Sequence, residues 1–194
     1  MDAPVGVVRA PALSHRKATL LRIGWIGTQY LYNASGQRIA KGHPTDGSAN
    51  PVCPTNPANV SIDQSYVLGQ GGEQLTQQDG SGQWQHTNVY AGGELIATYD
   101  QEGGQQLLHF NFSDALGTRR LQTSASGVPE LAFSSLPFGD ALGADGTGQD
   151  ATEHHLTGKE RDTESGLDYF GARYLSSSMG RWMTLQPGRA HRVP

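Results

Sequence analysis

Residues 157–182 read TGKERDTESGLDYFGARYLSSSMGRW, two glycine-bounded turns joined to one aromatic run. Within this stretch, Leu167-Asp-Tyr-Phe-Gly-Ala-Arg-Tyr-Leu175 alternates. Leu167, Tyr169, Arg173 and Leu175 fall on one face of a strand, and Phe170, Ala172 and Tyr174 on the other. One aromatic strand with both faces at least partly covered is therefore expected over 167–175. Leu167, Phe170 and Tyr174 also recur at helical spacing, but Gly171 and the β-prone neighbours weigh against a helix.

Outward from this run the punctuation repeats. Asn33-Ala-Ser-Gly36, Asp79-Gly-Ser-Gly82, Asp100-Gln-Glu-Gly103, Asp114-Ala-Leu-Gly117 and Ser124-Ala-Ser-Gly127 each open on a short polar side chain and close on glycine. The first residue can accept a hydrogen bond from the backbone two positions on, and glycine takes positive φ without a Cβ clash. Glycines at 72, 82, 93, 103, 117 and 127 lie 10, 11, 10, 14 and 10 residues apart. One strand and one turn fill each interval, which points to consecutive antiparallel hairpins rather than β-α-β crossovers.

The runs between the turns have strand length and strand composition: Leu20–Ile26, Tyr30–Tyr32, Gln37–Ala40, Gln64–Leu68, Trp84–Tyr90, Glu94–Tyr99, Leu107–Phe112, Arg119–Thr123 and Pro129–Phe133. The expected fold class is all-β. Residues 19–138 form the hairpins, interrupted by a Pro- and Asn-rich loop at 42–61. Residues 139–153 read as a flexible connector, 154–184 as a distinct closing segment, and 1–18 and 185–194 as irregular tails.

Composition narrows the function classes. Fourteen basic residues against 18 acidic ones leave a net charge of −4, and no basic block exceeds Arg119-Arg120, so no nucleic-acid partner is expected. Hydrophobic residues make up 36% of the chain and glycine contributes 26 residues, a turn-rich rather than core-rich balance. Such a piece is marginal alone unless neighbouring strands cover its open edges. Cys53, the only cysteine, sits among prolines and excludes an intrachain disulfide framework and a cysteine zinc site. No apolar run is long enough to span a membrane, and the N-terminus lacks the pattern of a secretory signal.

Tyr30-Leu-Tyr-Asn-Ala-Ser-Gly-Gln-Arg-Ile-Ala-Lys41 resembles the tyrosine-aspartate (YD) repeat of the rearrangement hot spot (Rhs) family, with Asn33 where aspartate is usual. The resemblance continues through Asn88–Asp100, Asp114–Thr123 and Leu136–Asp140, and residues 157–182 resemble the Rhs repeat-associated core. It implies a strip of hairpins wound into a hollow β-shell with the core near its C-terminal end. It further implies structural and delivery machinery of bacterial polymorphic toxins, secreted or at the cell surface. The partners would be the remaining repeats of a longer shell and a C-terminal effector.

One departure matters. After Gly180-Arg181-Trp182, relatives continue into an aspartate-containing self-cleavage motif, whereas this chain reads Met183-Thr-Leu-Gln-Pro-Gly-Arg189, with Gln186 where the first aspartate belongs. The Arg- and Pro-rich tail has no strand or helix period, as in a truncated or frame-shifted reading frame.

Other chemistry is weak. Adjacent histidines in Glu153-His-His155 point to opposite faces of a strand, so a solvated loop is expected rather than a metal site. Lys159-Glu-Arg-Asp162 with Glu164 reads as surface ion pairs or register pins for a turn rather than a general acid and base. No Gly-x-Ser-x-Gly elbow or phosphate loop occurs. No catalytic, cofactor-binding or metal residue is assigned and no cofactor is expected. Tyr169, Phe170, Arg173 and Tyr174 are read as structural, Arg173 stacking on Tyr or Phe or pairing with Asp162 or Asp168. The alternative is an extracellular carbohydrate-binding module using Trp25, Trp84 and tyrosines as stacking platforms.

An amide at residue 186 cannot shuttle a proton near neutral pH. The chain is therefore expected to keep its full mass when expressed and weighed intact by mass spectrometry. A discrete fragment ending near residue 184 overturns this.

Overall fold

Polar turns dictate the architecture. The computed structural model describes residues 18–23, 26–45, 59–171 and 173–183. In it Asn33 Oδ1 accepts the N–H groups of Ser35 and Gln37 at 3.0 and 2.9 Å. Asp79 does the same for Ser81 and Gln83, and Asp114 for Leu116 and Thr118. Ser124 Oγ accepts from Val128 at 3.2 Å. Each turn closes on a left-handed glycine, as expected.

The fifth tetrad behaves differently. The strand carrying Asp100 runs on to Glu102, and the reversal is made by Gly103 and Gly104 at φ +57° and +81°. Gly92 and Gly93, at +61° and +84°, make a second two-residue turn whose twist matches the strands it joins.

These turns connect eleven antiparallel strands in strict chain order. They are β1 (Ala18–Ile23), β2 (Ile26–Tyr32), β3 (Arg38–Pro44), β4 (Val60–Leu68), β5 (Gln74–Asp79) and β6 (Trp84–Ala91). Then follow β7 (Glu94–Glu102), β8 (Gln105–Ser113), β9 (Arg119–Ser124), β10 (Pro129–Ser134) and β11 (Gly143–Gly146). A second sheet holds β12 (Glu160–Arg161), β13 (Asp168–Tyr169), β14 (Tyr174–Ser176) and β15 (Arg181–Trp182). The all-β class and the consecutive hairpins are those expected.

Several sequence boundaries move. Leu20–Ile26 is not one strand: β1 and β2 pair with each other, Ile23 opposite Ile26. Gln74–Asp79, too polar to stand out as a strand, is fully paired between β4 and β6. The expected 42–61 loop shortens because β3 runs to Pro44 and β4 starts at Val60. Residues 139–153 are not a featureless connector. Gly143–Gly146 pairs along β10, and Ala151 and Thr152 are buried. The 167–175 strand is instead a hairpin: β13 and β14 pair Tyr169 with Tyr174, Phe170 N–H bonds the Arg173 carbonyl, and Gly171 takes φ +72°. Glycine in the left-handed region reverses the chain where alternation alone implied continuity. The expectations for residues 1–17, Trp25, Cys53, most of the 42–61 loop and the 185–194 tail, Gln186 included, lie outside the described residues.

The segment from Ala151 to Ser177 crosses one face of the eleven-stranded sheet, and that covered face is unusually polar. Arg38, Gln29, His109, Arg119, Gln122 and Thr98 of the sheet, with Asp162 and Asp168 of the covering segment, are among the largest fully buried side chains. The apolar contribution includes a small cluster of Tyr30, Tyr32, Tyr169 and Tyr174 with Leu167 against it, and Leu131 and Phe133 of β10. On the opposite face Val67, Val89, Tyr99, Phe110 and Phe112 stand exposed.

Two positive-φ glycines differ in packing, Gly146 at φ +149° being closely packed as well. A Cβ at Gly36, φ +78°, meets nothing within 4 Å, whereas one at Gly146 collides with the Glu130 carbonyl across the β10–β11 ladder. Gly36→Ala is expected to cost about 1 kcal/mol and Gly146→Ala about 2–3 kcal/mol in urea unfolding. A neutral Gly146→Ala refutes the pairing of β11.

Candidate functional site

The chemistry-bearing side chains gather where the closing segment meets the sheet. Between Tyr32 and Leu31 the β2–β3 register shifts, pairing Tyr32 with Arg38 but Leu31 with Ala40 and Tyr30 with Lys41. Ile39 is the extra residue, and the bulge turns Arg38 and Lys41 to the same covered face.

Arg38 there donates to two carboxylates. Its Nη1 reaches Asp162 Oδ2 at 2.8 Å and its Nη2 reaches Glu160 Oε2 at 2.5 Å. The guanidinium lies 4.1 Å from the centre of the Tyr169 ring, with Tyr30 and Tyr66 at 5.1 and 5.5 Å. Tyr66 donates its hydroxyl to Glu160 Oε1 at 3.0 Å, and Tyr30 donates to Glu164 at 3.0 Å. Lys41 Nζ stands 3.2 Å from Glu164, 3.7 Å from Glu160 and 3.8 Å from Asp162. Tyr32 and Tyr174 share a hydrogen bond of 2.9 Å.

The expected surface ion pairs at 159–164 are therefore a buried junction. Glu160 and Asp162 expose 2% and 0% of their surface. Burial alone would push both carboxyls up. At Glu160, Arg38, Lys41 and His154 outweigh it and hold the group down at about 2. At Asp162 burial prevails over Arg38, reinforced by repulsion from Glu160, and raises the group to about 6. Two carboxylates driven apart resemble a general acid and base, but both are committed to Arg38 and walled by tyrosines.

A second junction lies further along the sheet. Arg119 Nη2 donates to Asp150 and, at 2.8 Å, to the Thr152 carbonyl. Its guanidinium sits 4.3 Å over the Phe133 ring. His155 bonds Asp150 through Nε2 at 3.0 Å, so Glu153-His-His155 is no solvated loop. His154 meets Thr152 Oγ1 at 2.9 Å, and burial holds its imidazole down at about 3, in the neutral form at ordinary pH. His109 is clamped between Glu130 at 2.6 Å and Asp100 at 3.1 Å. Thr98 donates to Asn88 and accepts from Asn111, and Asn111 accepts from Arg119, a polar ladder across four strands.

A shared sequence signal connects the junctions. Arg38, Gln74 and Arg119 each stand two residues after a turn-closing glycine, in Gly36-Gln-Arg38, Gly72-Glu-Gln74 and Gly117-Thr-Arg119. The three turns lie on one edge of the meander, because successive hairpins alternate edges. Gln74 bonds Glu160, so all three reach a carboxylate of residues 150–162.

The residues read as structural are placed as follows. Tyr169 and Tyr174 stack at 5.4 Å inside the tyrosine cluster. Phe170 meets Trp182 edge-on at 5.1 Å, and Arg173 stacks 4.1 Å over Trp182. That ring, rather than Tyr or Phe, is its partner. Asp168 belongs to Arg161, in a bidentate pair of 2.9 and 2.8 Å. Trp84, proposed as a stacking platform, is half-buried against Tyr99 and donates its Nε1–H to Thr87. Among the described residues no group of three or more His, Cys, Asp or Glu side chains is placed to hold a metal ion.

No protein-family model and no curated protein matches the chain. Solved structures do. Over 88% of its length it superposes on 8% of a chain in the Photorhabdus luminescens Tc holotoxin pore, at 19% identity and a TM-score of 0.55. For the TcdB2–TccC3 complex the figures are 90%, 9%, 18% and 0.55, and for TcdB2–TccC3 with Cdc42 they are 84%, 8%, 18% and 0.54.

The fold is of the Rhs type. The chain spans less than a tenth of the proteins it resembles.

The junction makes a quantitative demand on Arg38. Removing one partner of a buried ion pair leaves uncompensated charge, so Arg38→Met is expected to cost about 3–5 kcal/mol. Arg173→Met, which loses a stacking contact near the surface, is expected to cost less than about 1 kcal/mol. Denaturant midpoints check both; an Arg38→Met chain within about 1 kcal/mol of the parent overturns the assignment.

Proposed function

We propose that this chain is a piece of the wall of an Rhs-type toxin shell, in which residues 154–184 fold back onto the inner face of the hairpin strip and seal one end. The observation that carries the reading is the polar covered face. A strip whose arginines and glutamines converge on carboxylates of its own closing segment is a wall built around an internal strap.

Among the described residues the sheet ends in β1 and β11 without closing on itself, which leaves edges for further strands of a longer strip. Its role is mechanical. The wall encloses a C-terminal effector carried elsewhere in the parent protein and performs no chemistry, and the parent works outside the producing cell. No described helix is long and apolar enough to cross a membrane.

Electron microscopy of the parent protein, with its flanking sequence, tests this. A hollow particle with residues 157–182 against the inside of its wall at one end is the expected result. A solid particle, or a wall with that segment on its outer surface, overturns it.

A further inference from the structure

Three carboxylates, Glu160, Asp162 and Glu164, converge on two cations, Arg38 and Lys41, and leave one negative charge in excess between the two sheets. The three are not equally provided for. Glu160 accepts from Arg38 and Tyr66, and Glu164 accepts from Tyr30 and Lys41 and is partly exposed to water. Asp162 exposes no surface and has Arg38 on Oδ2 alone, while Oδ1 is buried with no hydrogen-bond partner. Lys41 at 3.8 Å lies beyond hydrogen-bond reach of it.

Every element around Asp162 contributes a polar group. Tyr30 and Tyr32 come from β2, Arg38 and Lys41 from β3, Tyr66 from β4, Glu160 from β12, Tyr169 from β13 and Tyr174 from β14, with Glu164 in the turn after β12. The tyrosines are held un-ionised, chiefly by burial, so none adds to the excess negative charge.

We propose that Asp162 is a proton-binding site between the hairpin sheet and the closing segment, and that the two are held together more tightly in mildly acid medium than at neutral pH. A proton on Asp162 cancels the excess charge and turns its carboxyl from pure acceptor into donor. The linkage has a definite sign. With its folded value raised to about 6 from about 3.9 unfolded, Asp162 binds a proton more readily in the folded chain. Its contribution to stability is fully present below about pH 3.9 and is lost as pH rises through 6. Glu160 runs the other way. Held at about 2, it contributes above its unfolded value of about 4.3 and is lost as pH falls toward 2. The junction is therefore strongest in the window between these two losses.

His86 and His154, whose imidazoles burial holds below the ordinary range, destabilise the folded chain as acid protonates them in the unfolded one. The stability curve of the whole protein mixes these opposite effects, so the measurement must be made on Asp162 itself.

Carbon-13 NMR of aspartate carboxyls in the full chain provides it, with Asp162→Asn assigning the resonance. The expected midpoint lies at least one pH unit above the ordinary aspartate value of about 3.9. Glu164→Gln, which removes the excess charge, is expected to lower it and identifies the same resonance should Asp162→Asn fail to fold. Between pH 5 and 7.5 the folded-to-unfolded ratio of the parent should fall about tenfold relative to Asp162→Asn. A midpoint at or below about 4, or one unmoved by Glu164→Gln, overturns the proposal. The titration is read on the chain itself and stands or falls separately from the shell.

Discussion

The structure depends on the desolvation of Arg38. A guanidinium with almost no exposed surface must have its donors satisfied and its charge matched. Glu160 and Asp162 match the charge and take one donor from each terminal nitrogen, while Nε stays unpaired; each carboxylate is supplied by the closing segment, more than 120 residues away. The hairpin sheet thus cannot bury its own face unaided. Without the closing segment the arginines, glutamines and histidines of β3, β5, β8 and β9 would face water. Without the sheet the four two- and three-residue strands of the second sheet would have too few ladder bonds to persist. The two parts bury each other, and a buried ion pair is weak evidence for net stability because desolvation offsets its attraction.

A single local device builds this dependence. A polar turn forces the chain back on itself, its glycine closes the reversal, and the second residue beyond the glycine enters the next strand pointing inward. At 38, 74 and 119 that residue is Arg, Gln and Arg. Turns on the opposite edge put Trp84 and Pro129 at the equivalent place, and neither reaches the closing segment's carboxylates. The three anchors therefore share one edge of the meander, where the fourth turn, Gly92-Gly93, puts Leu95 at the equivalent place.

This explains which features could be read from the sequence. Asn33, Asp79, Asp114 and Ser124 announced their turns because an Asx or Ser side chain acts on backbone a few residues away, and the order of the hairpins followed. The junction is long-range, and nothing within Lys159-Glu-Arg-Asp162 distinguishes a solvated charge run from a buried one. Burial was decided by Arg38 and Lys41, whose shared face itself required a bulge at Ile39. The recurrence of Gly-x-Arg after two turns was the available signal. Periodicity failed where the buried face is polar. β5 shows glutamines where a core-facing strand would show valines, and the hairpin at 168–176 hid inside an aromatic alternation broken by one left-handed glycine.

The same polarity accounts for the low hydrophobic content. A sandwich buries apolar residues from both inner faces, but here the covered face carries Gln, Asn, Thr, His and Arg, while Val89, Phe110 and Phe112 point outward. Area burial cannot be the main stabilising contribution in such a layer. Its polar groups must be paired almost completely, since an orphaned buried group costs more than a hydrogen bond returns. The chain meets part of this requirement with the ladder from Asn88 through Thr98 and Asn111 to Arg119, and with the clamp of Asp100 and Glu130 on His109, but leaves the amide of Gln29 and the Nε of Arg38 and Arg119 unpaired. At Asp162 Oδ1 the deficit sits beside an excess negative charge. A proton is the one ligand small enough to cancel that charge on a side chain with no exposed surface.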